Sequence, residues 1–174
     1  MNIPSYDDWI ASERVTGAKL NKNIRDAGNF HKAKPAAFAF VNAAGVTIPV
    51  GTAAWTTLSV DAEKFDNDNM FSTAGRITIQ TPGLYYIEGQ ARYAAGGTGY
   101  RAARIQINNA TDLDTQYSPV SPSGATTVYI KGYAQLVAGD FLVVSTLHSE
   151  SGAAQTVNTG KDHYCYLRAV WVNA

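Results

Sequence analysis

Thr81-Pro82-Gly83-Leu84-Tyr85-Tyr86-Ile87-Glu88-Gly89-Gln90-Ala91-Arg92-Tyr93 decides how this chain folds. After the Pro-Gly turn, Tyr85, Ile87, Gly89, Ala91 and Tyr93 fall on one side and Tyr86, Glu88, Gln90 and Arg92 on the other. That period of two belongs to a strand, which throws successive side chains to opposite faces. Flanking segments repeat the pattern. Ile77 and Ile79 oppose Arg76, Thr78 and Gln80; Ile105 and Ile107 oppose Arg104, Gln106 and Asn108; Val128, Ile130, Ala134 and Leu136 oppose Tyr129, Lys131, Tyr133 and Gln135; Leu142 and Val144 oppose Phe141 and Val143. A helix would need apolar residues every three to four positions, and these runs lack that spacing.

Strands are expected near 36–42, 46–50, 54–60, 69–72, 75–80, 84–94, 101–108, 126–137, 140–148 and 163–172, separated by turn signals such as Pro82-Gly83, residues 96–99, residues 121–124 and Gly139-Asp140. Such a series predicts an all-β chain: an antiparallel two-sheet jelly-roll sandwich of about eight to ten strands spanning 34–174. Residues 1–33 read as a separate docking segment. Thr16 can cap a helix over 17–30, in which Leu20, Ile24, Ala27 and Phe30 form one apolar stripe. Pro35 ends it.

Composition narrows the function. The formal net charge is zero and charged residues make up only 16%, so there is no electrostatic footprint for nucleic acid or an anionic membrane. No run reaches membrane-span length, and the N-terminus carries no secretion-type apolar core, so the chain is expected to be made without a secretion signal. Cys165 is the single cysteine, which rules out an intrachain disulfide. His31, His148 and His163 show no metal-ligand spacing, and there is no nucleophile-elbow motif. Asp66-Asn67-Asp68-Asn69 and Asp112/Asp114 are oxygen-rich but lack the pattern of a calcium loop. The reading is of a non-enzyme with no catalytic residue, metal or cofactor. Ten tyrosines supply stiff amphipathic area suited to interfaces. Two strands, 36–41 and 164–172, are apolar on both faces, which requires cover on both. In the second, Tyr164, Tyr166, Val170 and Val172 share one face and Cys165, Leu167, Ala169 and Trp171 the other. The outer cover is either the N-terminal helix or further copies of the chain.

The ordered set Trp55, Leu58, Val60, Phe65-Asp66-Asn67, Met70-Phe71, Gly75-Arg76-Ile77-Thr78-Ile79, Pro82 to Ile87 and Leu136-Val137-Ala138-Gly139-Asp140-Phe141-Leu142 resembles the complement-head and tumour-necrosis-factor jelly-roll superfamily. The opening, with Trp9, Val15-Thr16-Gly17-Ala18-Lys19-Leu20-Asn21, Ile24-Arg25-Asp26 and Phe30, resembles small structural proteins of tailed bacteriophages. Together these resemblances imply a homotrimer on a virion, assembled in the host cytoplasm. The trimer interface would be formed by Phe38, Phe40, Tyr164, Tyr166 and Trp171, and docking to other virion proteins by Trp9, Leu20, Ile24 and Phe30. The expected role is a minor tail protein whose loops near 94–100, 109–126 and 149–162 meet a host-surface glycan or protein. Capsid decoration is the first alternative, and a non-viral trimeric lectin-like module the second.

Overall fold

A computed structural model describes residues 12–43, 45–50, 54–72, 75–150 and 152–174. Two antiparallel sheets face each other across one apolar core. The first contains β1 (Ala36–Phe40), β2 (Val46–Ile48), β4 (Ala62–Asp66), β7 (Gly83–Ala95), β10 (Ala125–Leu136), β12 (Gln155–Val157) and β13 (Tyr166–Asn173). Its main body runs β4-β1-β13-β7-β10, and β12 joins the upper part of β7 beyond the end of β13. The second contains β3 (Thr56–Thr57), β5 (Phe71–Ser72), β6 (Arg76–Thr78), β8 (Tyr100–Ile107), β9 (Thr111–Pro119) and β11 (Phe141–His148), in the order β5-β6-β11-β8-β9 with β3 beside β11.

The quoted segment is the axis of the first sheet. Tyr85, Ile87, Ala91 and Tyr93 are fully buried, while Tyr86, Glu88 and Arg92 are half-exposed, as alternation predicts. The two buried tyrosines keep their hydroxyls satisfied: Tyr85 donates to the Thr81 carbonyl at 2.7 Å, and Tyr93 lies 2.7 Å from the Thr146 hydroxyl. Gly83 has φ +150°, and a Cβ there would collide with the Trp171 indole, so the Pro-Gly turn is also a packing requirement.

Among the described residues there are thirteen strands, more than the sequence reading expects. The additions are β4, β12 and above all β9, which occupies residues read as loop. Thr111-Asp-Leu-Asp-Thr-Gln-Tyr-Ser-Pro119 is largely polar, with Leu113 packed against the core, because β9 is an edge strand that buries little. The oxygen-rich turn after β4 is a backbone clasp: the Asp66 carboxylate accepts from the amides of Asp68, Met70 and Phe71.

The N-terminal helix extends two residues past the expected end, as α1 (Gly17–Leu20), a π-wound stretch (Asn21–Asp26) and α2 (Ala27–Lys32). Thr16 caps it, its hydroxyl accepting from the Lys19 amide at 3.3 Å. Only Ala27 and Phe30 are buried along it, and Phe30 meets Trp171 edge-on, with centroids 5.0 Å apart. The helix therefore closes the base of the sandwich, where Pro35, Pro82 and the end of β13 come together.

Candidate functional site: an aromatic sheet face

The outward side of the first sheet is the surface of interest. Cross-strand register sorts it into three rows. The basal row sets Ala36 opposite Val170, Val170 opposite Tyr86, and Tyr86 opposite Tyr133. The middle row sets Phe65, Phe38, Arg168, Glu88 and Lys131 in sequence across the strands. The upper row sets Phe40, Tyr166, Gln90 and Tyr129 across the same strands. Rings touch within rows and between them: Phe38 tilts against Phe65 at 6.0 Å and Tyr86 packs on Tyr133 at 5.2 Å, while Phe38 also stacks on Tyr166 of the upper row at 4.9 Å.

Two shallow clefts indent this face. One, of about 550 Å³, lies among Tyr86, Glu88, Asp114, Gln116, Tyr129, Lys131 and Tyr166. The other, of about 410 Å³, lies among Phe38, Lys64, Gln90, Arg92, Tyr129, His163 and Tyr166. The Tyr129–Tyr166 ridge divides them. Burial pushes the Tyr166 phenol up to about 12, with the Glu88 carboxylate adding to the rise. The side chain is therefore a neutral donor at any ordinary pH. Tyr129 and Tyr133 remain 63% and 64% exposed, so the N-terminal helix does not cover them.

The residues expected to form the trimer interface separate. Phe38, Phe40 and Tyr166 share the outward face. Tyr164 lies just before β13, beneath the Arg92 guanidinium at 4.4 Å. Trp171 is elsewhere: it points to the core side with Cys165, Leu167 and Ala169, is 7% exposed, and donates its indole N–H to the Pro82 carbonyl at 3.2 Å. Its partner Phe30, expected to dock outward, is 4% exposed. Within one chain these two rings pack on each other and form the joint between helix and sandwich. Leu20 and Ile24, expected to dock to other proteins, are exposed, and Trp9 lies outside the described residues. Tyr86, Tyr129, Tyr133, Glu88 and Arg168 belong to the face and are not among the expected interface residues, although alternation sets Tyr86, Glu88, Tyr129 and Tyr133 outward.

At the far end, the turn at 96–99 and the residues Glu150 and Gln155 gather around Arg101, and the Val120 amide pairs with the Gly99 carbonyl beside them. The Arg101 side chain is wholly buried and donates to the carbonyls of Gly96, Thr98 and Tyr100, to Glu150 Oε2 and to Gln155 Oε1. His148 lies opposite Arg101 across the strand pair, with Nδ1 accepting from the Glu150 amide at 3.2 Å and Nε2 facing the Ile48 carbonyl at 3.2 Å. The expected loop 109–126 divides: its first turn sits at the base, β9 takes the middle, and only the last part reaches this apex. Helix and apical turns thus occupy opposite ends.

No protein-family model matches the chain, and no curated protein sequence matches it. Solved structures do. The globular domain of zebrafish complement 1qA protein superposes with a TM-score of 0.58 at 18% identity, covering 80% of this chain and 98% of that one. The structure of Eiger TNF from S. frugiperda superposes with a TM-score of 0.59 at 15% identity, covering 81% of this chain and 96% of that one. The fold is therefore the complement-head and tumour-necrosis-factor jelly roll.

Proposed function

We propose that this chain is the protomer of a homotrimeric, non-enzymatic binding module, in which the aromatic sheet face packs around a threefold axis and the apical turns project. The observation that carries this reading is the face itself. Seven rings and two clefts form a continuous half-apolar surface that one copy leaves open, where aromatic area is typical of association surfaces. A closed ring of identical copies is the common way to cover such a surface without leaving an open end. Proteins sharing this fold, complement 1qA and Eiger TNF among them, are the analogy for a binding role.

Replacing Tyr166 with Glu tests the face. A charge set into the ridge between the clefts is unpaired in the assembly and solvated in a lone protomer, so native mass spectrometry should find folded monomer. A variant that stays trimeric refutes the interface.

The setting is a virion of a tailed phage, a reading supported by the likeness of residues 9–30 to phage structural proteins and by the opposite placement of helix and apex. In that setting, a minor tail protein presents its apical turns to a host-surface glycan or protein, and a decoration protein instead braces the capsid. Counting copies per purified particle by quantitative mass spectrometry separates these roles. A few to a few tens, in multiples of three, mark a tail component; hundreds mark decoration; none removes the virion setting and leaves a lectin-like module.

A further inference from the structure

The three rows on the sheet face are unequal. The basal and upper rows carry no charge: Ala36, Val170, Tyr86 and Tyr133 make one, and Phe40, Tyr166, Gln90 and Tyr129 the other. The middle row is charged across its centre, with Arg168 opposite Glu88 and Glu88 opposite Lys131. We propose that the Arg168–Glu88 pair is the specificity lock of this face: it admits a second copy of the chain in one register and rejects slipped registers. The inference rests on the reading of the face as a self-association surface and adds what sets its alignment.

Four observations point the same way. First, tyrosine rows alone are degenerate. Sliding a partner by one row moves it about 7 Å, two residues along a strand, and sets an uncharged row against the middle one; sliding by two rows sets uncharged rows on each other. Only the middle row breaks that likeness, because a slip would lay rings over Arg168 and Glu88 and strip both of water. Second, the pair is preorganised. Arg168 Nη1 donates to Glu88 Oε1 at 3.0 Å, and the Tyr86 hydroxyl donates to Glu88 Oε2 at 3.1 Å. Both carboxylate oxygens are therefore fixed before any partner arrives.

Third, the pair has little to do in a lone protomer. The Arg168 and Glu88 side chains are 39% and 22% exposed, a setting in which ion pairs contribute little to stability. Covered by a neighbour, the same pair is in a dry interface. Removing one partner there strands a charge, whereas removing both leaves polar or apolar groups of similar size and is far less damaging. Fourth, charge surrounds the pair on the β10 side as well. Lys131 sits across from Glu88, and the Asp114 carboxylate accepts from the Lys131 amide at 3.4 Å. A neighbour in the wrong register meets alternating signs rather than a uniform apolar floor.

The test uses the full chain with Arg168→Met, Glu88→Gln and the double variant. Sedimentation velocity is run from 0.1 to 50 µM, with thermal unfolding alongside. Each single variant should raise the concentration at half-dissociation by at least ~30-fold while the lone protomer's melting temperature barely moves. The double variant should recover affinity to within about tenfold but lose uniqueness, giving dimers and larger species beside trimers. Arg168→Lys, which keeps the charge, should stay close to wild type and serves if Arg168→Met fails to fold. Single variants that remain trimers with unchanged affinity and a single size overturn the lock while leaving the trimer reading intact. A wild-type chain that is monomeric at 50 µM overturns the trimer reading first.

Discussion

At the scale of single residues, buried polar groups divide into those the fold keeps neutral and those it keeps charged but enclosed. Cys165 is of the first kind. It is fully buried, its thiol faces the Asn158 carbonyl at 3.1 Å, and burial pushes it up to about 11. A thiol so held is protonated at pH 8 and unreactive. Ellman's reagent at that pH should therefore titrate no thiol in the native protein and one per chain after unfolding. Burial also raises Tyr85, and pushes Tyr93 and Tyr166 up to about 12. Because the folded state holds these protons more tightly than the unfolded chain, the stabilisation is complete below about pH 10 and is lost as pH rises toward 12. Urea midpoints should fall steeply across that window, in step with phenolate absorbance at 295 nm. Arg101 is of the second kind. Arg101→Met removes the donors that organise the apical turns and leaves Glu150 without its cation, lowering stability by about 3 kcal/mol as read by urea titration.

At the scale of elements, legibility followed exposure. β7 was readable because one side is buried and the other is not, so alternation names both. β13 is readable as a strand with Trp171 and Tyr166 on opposite faces. Both faces are apolar, and nothing in Tyr164 to Val172 says which side meets the core, so the sequence does not separate Trp171 from the outward rings. β9 was invisible because an edge strand needs neither alternation nor apolar content. The Arg168–Glu88 pair depends on register across strands far apart in sequence, which no local pattern encodes. The helix was legible from its cap and stripe, yet only half of that stripe, Ala27 and Phe30, is spent on the sandwich. Phe30→Ala should detach it: the amides of 17–32 lose hydrogen-exchange protection, tryptophan emission shifts red as Trp171 gains water, and stability falls by about 3 kcal/mol. The strands should keep their protection, because the core between the sheets contains no other helix side chain.

At the scale of the whole molecule, the sandwich has two ends and one unfinished side. The base is closed by the chain's own helix, the apex is tied down by Arg101, and the sheet face with Phe38, Tyr86, Tyr129, Tyr133 and Tyr166 is left open. A side covered by further copies of the chain explains why β1 and β13 turn Phe38, Phe40, Tyr166 and Val170 outward, why tyrosine is so frequent, and why an ion pair sits in the middle of these rings. Sedimentation equilibrium of the full chain between 1 and 50 µM tests this most directly. The account predicts one species of three times the 18.7 kDa chain mass, with Tyr129 and Tyr133 protected from side-chain labelling. A species of single chain mass throughout that range, with both tyrosines freely labelled, contradicts it.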